Sequence, residues 1–478
     1  MMLDPAVQIT ATARQRQCEV GSVTANRSRV GKRLWLGSAI VAGLLVVSTV
    51  RSQAQVIPTR RDLVMPPWNA QEIFELTPLP ILSDPDTRDD VAPEDMPVMS
   101  RRRPEYEPRG FRAGSWMFNP ALTAGTFYDS NVFSSPTQVE SDIAGQIGAG
   151  LRAHTLWERH GIDMTGEVLS TAYRDHSTLN ETDATFKGTG HFDIDHANTI
   201  LGAVEAAYLH EGVGSLTSPA GAIQPTPYSL FSGDTTYRHE SGRVTTSIGA
   251  RVDSYDYGSV LAQNGTTISQ DSRDGQIYKA HGRFDYAFSE KTVFFTAFEA
   301  NWRNLRGTPT QSLSSDGYRT LTGFDLQLTP LIKAELAGGY LHQHFFDPTI
   351  GNIDGPAYRA TLMWSPSRVF DVHFNAEQIV TEASDTSATG ILANALQLGA
   401  DYEIRPNVIF STAATYEQDH FKGQPRDDNV YAADAELKYL MNRIATIGLY
   451  YRFIRRASNE SQFTYDKHVV GINATAHF

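Results

Sequence analysis

The chain has 478 residues, of which 41% are hydrophobic and 20% charged, and its net charge at pH 7 is −13. This composition excludes a wholly disordered chain, and the negative mean hydropathy excludes a bundle of apolar transmembrane helices. The acidic balance, without a basic stripe, excludes a nucleic-acid partner.

The first 54 residues predict an export signal. A basic stretch precedes the one long apolar run, LWLGSAIVAGLLVVSTV at 34–50, and a small-x-small cleavage pattern ends at Ala54. The apolar run is shorter than the ~20 residues that usually span a bilayer, which favours a cleaved signal peptide over a permanent anchor. Cleavage removes Cys18, the only cysteine, and leaves a mature chain with a net charge of −18 and without disulfides or cysteine ligands.

Residues 55–110 form a separate, proline-rich zone. Ten of the 23 prolines lie in it, together with the acidic run DPDTRDD and the basic run SRRRPEYEPRG. Proline at this density prevents both helix continuation and sheet pairing. We therefore predict a largely disordered periplasmic segment.

From about Ser115 to the end, apolar residues alternate with polar ones in runs of about 9–13 residues, the length of a tilted membrane strand. In VTTSIGARVDSY, for example, Val244, Ile248 and Val252 share one face, while Arg251 and Asp253 lie on the other. Charged residues at alternate positions cannot be buried in a dry core without a large cost, but they can face a wet lumen. A soluble sandwich and a repeat fold with a fixed period fit the pattern less well.

The connections between these runs alternate between eight short turns and nine long loops. We therefore predict an all-β fold: a transmembrane, antiparallel up-and-down β-barrel of about 18 strands over residues 111–478, with short periplasmic turns and long extracellular loops. Closure is needed because the hydrocarbon core offers no water to free backbone groups. The two longest loops, 211–227 and 256–275, are predicted to form a constriction.

Strand alternation assigns a set of charged residues to the lumen of this barrel. The set contains both signs, and the sequence shows no ring of a single sign that would indicate ion selectivity. The candidates that we assign to the lumen are Arg152, Asp163, Glu167, Lys187, Arg251, Asp253, Lys279, Arg283, Asp285, Arg319, Asp325 and Arg359. Such a lumen suits a hydrated pore for polar solutes, and it equally suits an interior that is cross-linked by ion pairs.

Motifs for catalysis, phosphate binding or calcium binding are not found in the sequence. We expect no enzyme activity and no cofactor. His342 and His344 in LHQHFF lie on one side of a strand near a long loop and could bind a metal, but a polar cluster at the loop end is the favoured interpretation.

The chain ends within a strand, HVVGINATAHF, in which Val470, Ile472 and Phe478 share the apolar face. An even-stranded barrel must pair its last strand with its first, and an aromatic ring is favoured at the membrane interface. We predict that Phe478 is an assembly signal for the barrel-assembly machinery.

The opening strand, NPALTAGTFYDSNVFSS, contains a segment that is similar to a known family. Its segment 128–133, Tyr-Asp-Ser-Asn-Val-Phe, resembles the start of the family of outer-membrane proteins called putative beta-barrel porin 2. The resemblance implies an outer-membrane β-barrel that is often linked to exopolysaccharide secretion, and it identifies no functional residues. For Asp129 and Asn131, turn chemistry is favoured over a ligand site.

Three functions remain open from the sequence. The first is a channel of the Gram-negative outer membrane that serves as the exit conduit for an exported surface polysaccharide, with outer-membrane lipid and a periplasmic polysaccharide-export protein as partners. The second is a passive porin for small polar solutes. The third is a structural or enzymatic barrel whose pore is blocked.

Overall fold

A computed structural model describes residues 97–99, 101–215, 217–219, 221–308, 312–329, 331–349, 351–381 and 390–478, with Thr381 described in its backbone only. The predicted signal peptide and residues 55–96 of the proline-rich segment lie outside this range. Among the described residues, no helix is both long enough and apolar enough to cross a membrane.

Eighteen long strands make up the fold, and we number them β1 to β18 in chain order. They are β1 Trp116–Asp129, β2 Asp142–Thr155, β3 His160–Tyr173, β4 Glu181–Asp193, β5 Asn198–Glu211, β6 Thr226–Ser241, β7 Val244–Tyr257, β8 Gly275–Ser289, β9 Thr292–Leu305, β10 Ser315–Thr329, β11 Ile332–Phe345, β12 Ile353–Ser367, β13 Phe370–Thr381, β14 Gly390–Arg405, β15 Val408–Lys422, β16 Asp427–Leu440, β17 Ala445–Ser458 and β18 Tyr465–His477. Three-residue 3₁₀ turns at Ser177–Leu179, Asp271–Arg273 and Ser461–Phe463 lie in the loops.

Each strand pairs antiparallel with its neighbours in the chain, and the sheet closes on itself. The closing pair joins β1 to β18, from Ala121 opposite His477 to Asp129 opposite Val469. A short strand, Phe111–Ala113, folds back on the start of β1 as a hairpin. The predicted up-and-down barrel of 18 strands is confirmed.

The two faces of the sheet differ in chemistry, as the period-two alternation predicts. Large apolar side chains at alternate positions are exposed on the outer face, with Ile147 at 69% and Ile248 at 65%. Their chain neighbours point to the inner face, where many charged side chains are almost fully buried, Arg319 and Asp428 at 0% among them. An apolar exterior around a polar interior is the arrangement that a bilayer selects.

The connections also alternate in length, so the barrel has two unlike ends. At one end, which we call the turn end, the strands are joined by two to four residues, such as 242–243 between β6 and β7. At the other, the loop end, connections reach 14 residues in 212–225 and 17 in 258–274. The loop between β15 and β16 is shorter than predicted, because these strands extend to Lys422 and start again at Asp427.

Candidate functional site: the barrel lumen

The predicted lumen residues lie on the inner face, and the structure brings most of them together as ion pairs. Cross-strand or near-neighbour pairs join Arg152 to Asp163 at 2.5 Å, Lys187 to Glu205 at 3.4 Å and Arg251 to Asp253 at 2.8 Å. Lys279 reaches the same Asp253 at 3.6 Å. Glu167 lies opposite Gly150 on the neighbouring strand.

Contacts between strands that are not neighbours show that these side chains point into the barrel. Arg319 on β10 reaches Glu377 on β13 at 2.9 Å, and Arg359 on β12 binds the same oxygen, Oε1, at 2.7 Å. Arg283 on β8 contacts Asp285 at 2.7 Å and Asp325 on β10 at 2.5 Å. Side chains of separated strands converge only on the concave side of a curved sheet.

The charges are segregated around the lumen, which the sequence did not indicate. The acidic arc, the inner face of β2 to β5, holds eight carboxylates and two cations, whereas the basic arc, the inner face of β7 to β12, holds seven cations and five carboxylates. The acidic arc comprises Asp142, Asp163, Glu167, Glu181, Asp183, Asp193, Glu205 and Glu211 with Arg152 and Lys187; the basic arc comprises Arg251, Lys279, Arg283, Arg303, Arg319, Lys333 and Arg359 with Asp253, Asp285, Glu299, Asp325 and Glu335. All these strands are fully described.

A neutral strip lies at mid-strand where the barrel closes, on the inner face of β18, β1 and β2, between charged residues near the strand ends. Its side chains are small or uncharged, and the hydroxyls of Thr123 and Thr475 hydrogen bond to each other at 3.0 Å. A side chain at Gly125 would meet the backbone oxygen of Ile472 at 2.9 Å, so this close approach requires glycine. The strip comprises Thr123, Gly125, Gly148, Gly150, Asn473 and Thr475.

Two long loops fold over the loop end of the lumen. We call residues 212–225 L3 and residues 258–274 L4. L3 reaches the far wall, where Arg456 on β17 donates to the Gly214 carbonyl at 3.0 Å and the Tyr465 hydroxyl donates to it at 3.4 Å. L3 and L4 are joined by an antiparallel bridge between Ala222 and Ala262. L3 therefore lies across the loop end of the lumen, while the constriction predicted for these two loops stays a prediction.

Buried ion pairs hold this covered end together. Glu211 and Arg273 form a bidentate pair, at 2.6 and 2.9 Å, in which both side chains are 1% exposed. Arg426 binds Asp428 and lies over the rings of Phe421 and Phe463, at 4.1 and 3.5 Å. The two charges of such a pair compensate each other, but loss of one partner leaves the other charge buried and uncompensated.

Part of the inner wall at the loop end is apolar, against the expectation of a polar inner face. A buried cluster joins β10 to β13, where these inward side chains pack on each other instead of facing water. The cluster comprises Leu321, Leu341, Phe345, Ile353, Ala357 and Val380. These side chains are at most 3% exposed, so this part of the wall is dry.

The first loop, 130–141, is fixed by turn chemistry, as favoured for the opening motif. Asp129 is 2% exposed, accepts from the Asn131 backbone N–H at 2.9 Å and binds Lys467 at 2.7 Å. The Asn131 side chain donates to the carbonyls of Ser135 and Asp466. These contacts give the polar groups of Asp129 and Asn131 their partners, and they join β1 to β18.

His176, in the loop 174–180, joins the first two loops. Its ring nitrogens contact Glu140 at 2.7 Å and Asp142 at 2.9 Å. The hydrogen bond with Glu140 raises the pKa of His176, partial burial opposes that rise, and Asp142 adds to it.

Among the described residues, a segment of the proline-rich zone covers one side of the turn end. Residues 97–99 and 101–110, which we call the arm, lie against β13 to β17. Arg101 and Arg103 both bind Glu403, at 3.0 and 2.6 Å, and the Val98 N–H donates to Asp371. Val98 is fully buried with Ile409 and Leu440. The predicted disorder therefore does not extend to this part, because charge pairing and an apolar contact order it.

His342 and His344 lie on the outer face near the loop end, each beside a single carboxylate. His342 contacts Asp354 at 2.5 Å and His344 contacts Asp316 at 3.2 Å. Within the described part of the chain, no group of three or more histidine, aspartate or glutamate side chains could hold a metal. The polar cluster is therefore the better interpretation of these histidines.

Comparison with known proteins gives one family match. The model of the family described as "Putative beta-barrel porin 2" matches residues 103–478. No curated protein matches the chain.

Solved outer-membrane barrels are similar in fold. OccK2 (OpdF) of Pseudomonas aeruginosa, solved in complex with glucuronate, has 12% identity and a TM-score of 0.44, and the match covers 77% of this chain and 100% of that one. OpdK of the same organism, solved with vanillate, has 10% identity and a TM-score of 0.40 over 76% and 99%. The siderophore receptor PirA of Acinetobacter baumannii has 8% identity and a TM-score of 0.42 over 76% and 80%. At these values the similarities do not indicate what the chain transports.

Proposed function

The chain belongs to the family described as "Putative beta-barrel porin 2", and on that premise we propose that its barrel is the exit conduit for an exported surface polysaccharide. The coarser statement, a porin-like β-barrel of the outer membrane, follows from the family and the closed 18-stranded fold. Export itself is the proposal, and the predicted lumen residues are its proposed lining.

One observation carries this proposal: the polar inner face is covered at its loop end by loops. Eighteen strands are wide enough for an aqueous channel unless something fills it. L3 and L4 are connections of 14 and 17 residues, held to the far wall by the hydrogen bonds of Arg456 and Tyr465 to Gly214. Such bonds can be exchanged for water at modest cost, so the loops can act as a movable cover.

The neutral strip supports a polymer as the transported solute. A sugar chain has many hydroxyls, each of which can exchange hydrogen bonds with threonine and asparagine side chains without a strong trap. Passage requires binding that is favourable enough to enter and weak enough to leave. Glycines 125, 148 and 150 add width because they carry no side chain.

Conductance across a planar bilayer tests for an open passage. We expect current from the folded mature protein and a larger current from Arg456→Gln, which removes the donor to Gly214. Tyr237→Phe is the matched control, because the Tyr237 hydroxyl bonds Asn198 at the turn end and does not contact L3. Silence of both the wild type and Arg456→Gln would favour the blocked barrel.

A deletion strain separates the conduit from a passive porin. The conduit predicts that secreted polysaccharide is lost while uptake of small polar solutes is unchanged, and that the wild-type gene restores secretion. Unchanged secretion with slower solute uptake would favour the porin for small polar solutes.

Assembly and partners form a second part of the proposal. We propose that residues 1–54 direct export, that the arm offers a docking point for a periplasmic export protein, and that Phe478 is read by the barrel-assembly machinery. Phe478 is 57% exposed, and its N–H donates to the Pro120 carbonyl at 3.0 Å. Its deletion should lower the yield of heat-modifiable barrel, whereas Phe478→Tyr should preserve it; normal yield after deletion would contradict the assembly role.

A further inference from the structure

The two charged arcs are unequal in how far their charges are compensated. In the basic arc, Arg283 contacts three carboxylates, at 2.7, 2.5 and 3.8 Å, and Arg319 and Arg359 share Glu377. In the acidic arc, eight carboxylates face two cations on the same four strands, and a third cation, Arg273 of L4, pairs with Glu211. The basic arc is therefore close to neutral, whereas the acidic arc retains a surplus of negative charge.

From this asymmetry we infer that the lumen selects by charge: it admits cations and neutral solutes and rejects polyanions. Resting on the proposed function, the inference assigns the exported polymer to the class of neutral or sparsely acidic polysaccharides. The specificity-determining residues are the carboxylates of the acidic arc, foremost Asp163, Glu167 and Glu205.

The physical cause is the field of a row of charges with a net negative sum inside low-dielectric walls. Such walls focus the field into the lumen and raise the local concentration of counter-ions. At about 0.1 M salt the Debye length is ~10 Å, so charges lining a pore act on ions across much of its width. Asp163 and Glu205 keep 23% and 25% of their side chains exposed, so their charge reaches the lumen.

Other strands add to the negative balance. On β13 to β16 the inner face carries Asp371, Glu377, Asp401, Glu403, Glu417, Asp419, Asp428, Asp434 and Glu436, and Lys438 near the end of β16 is a cation on the same face. Several of these carboxylates have cationic partners from elsewhere: Arg452 binds Asp434, Arg426 and Arg456 contact Asp428, Arg101 and Arg103 of the arm bind Glu403, and Glu377 is the partner of Arg319 and Arg359 in the basic arc. These strands therefore add less negative charge than their carboxylates alone would give, and the surplus rests on the acidic arc.

The Lys187–Glu205 pair permits a sharp test, because its two members lie directly opposite each other on β4 and β5. Lys187→Gln and Glu205→Gln break the same contact but change the charge in opposite directions. In a bilayer with a KCl gradient, we expect a reversal potential that indicates K⁺ over Cl⁻. Glu205→Gln should lower that preference and Lys187→Gln should raise it, more strongly at low salt.

The outcomes distinguish the inference from a structural effect and from the proposed function. A shift in the same direction in both variants would show that the broken contact, not its charge, alters the pore. A current without cation preference would overturn the inference and leave the channel intact. Absence of current from the wild type and Arg456→Gln would overturn the channel and, with it, the inference.

Polymer charge is tested on the same channels with two probes of equal length, a neutral dextran fragment and a polygalacturonate fragment. We expect the dextran fragment to block the current at severalfold lower concentration. Equal or stronger block by polygalacturonate would contradict the assignment of polymer class.

Discussion

The two ends of the barrel are formed by the same strands but differ in how they are covered and in how exposed their charged side chains are. At the loop end, L3 and L4 fold inward, and the Glu211–Arg273 pair is 1% exposed. At the turn end, the arm, which is the described part of the proline-rich zone, covers β13 to β17, and Asp163 and Asp325 keep 23% and 21% of their side chains exposed. For the proposed channel, this difference makes the loop end the place where passage is controlled.

The largest expected effect follows from breaking the buried pair at the loop end. Glu211→Gln leaves the Arg273 guanidinium buried without its carboxylate, and loss of one partner of such a pair costs about 3–5 kcal/mol in the free energy of unfolding. We expect a lower urea midpoint of the folded barrel in detergent, measured by tryptophan fluorescence.

The double variant Glu211→Gln/Arg273→Met is the control, because it removes both charges. It should recover much of the lost stability. A single variant as stable as the wild type would mean that the loop end is not held by this pair.

A smaller effect is expected at the turn end, where Glu403 holds Arg101 and Arg103. Glu403→Gln weakens two charge-assisted hydrogen bonds, each of about 1.5–3 kcal/mol, so the arm should open more often. We expect trypsin to cleave at the arm at least roughly tenfold faster, with the barrel intact.

Glu158→Gln, at an exposed turn between β2 and β3, is the matched control and should not change cleavage. Equal cleavage rates in all three proteins would show that the arm is held by its apolar contacts at Val98, or not held at all.

The smallest effect concerns pH at the loop end. Because its partners raise the pKa of His176, the contact with Glu140 and Asp142 is fully present below the unfolded pKa, about 6.5, and is lost as pH rises through the folded value. Loops 130–141 and 174–180 should thus be more protected from proteolysis at about pH 6 than at about pH 9.

His176→Gln should abolish this difference, while His196→Gln, at an exposed turn, should leave it. Persistence of the pH effect in His176→Gln would assign it to other groups.

Much of the fold could be predicted because a strand that crosses a bilayer must alternate apolar and polar residues, and this alternation is visible in the sequence. Alternation over Val244–Val252 and the parity of turns and loops define the barrel, since a slip of one residue would expose charges to lipid. The end strand with Ile472 and Phe478 closes it by the same argument.

The site was predicted only in part, because a sequence lists charges without their positions around the barrel. Alternation along the strands places both Asp163 and Arg283 on the inner face. Only the closed fold shows that Asp163 belongs to the acidic arc, whereas Arg283 belongs to the basic arc, whose charges are largely compensated. The apolar cluster around Leu341 and Phe345 was missed because their strand has apolar residues on both faces. Alternation alone therefore does not show which of the two faces meets lipid. The order of the arm was missed because Glu403 lies 300 residues from Arg103.

A disulfide across L3 and L4 tests the central claim most directly. Ala222 and Ala262 form a non-hydrogen-bonded antiparallel pair, flanked by the bonds Ile223 N–H to Leu261 O and Gln263 N–H to Gly221 O. Such pairs place Cα atoms about 4.5 Å apart, within the range of a disulfide. The one native cysteine, Cys18, lies in the predicted leader.

The measurement is the bilayer current of Ala222→Cys/Ala262→Cys before and after reduction. If the loops are the movable cover of a passage, the oxidised protein conducts little, the reductant restores wild-type current, and each single-cysteine variant conducts throughout. Current that is the same in both redox states, or no current in either, would contradict the account.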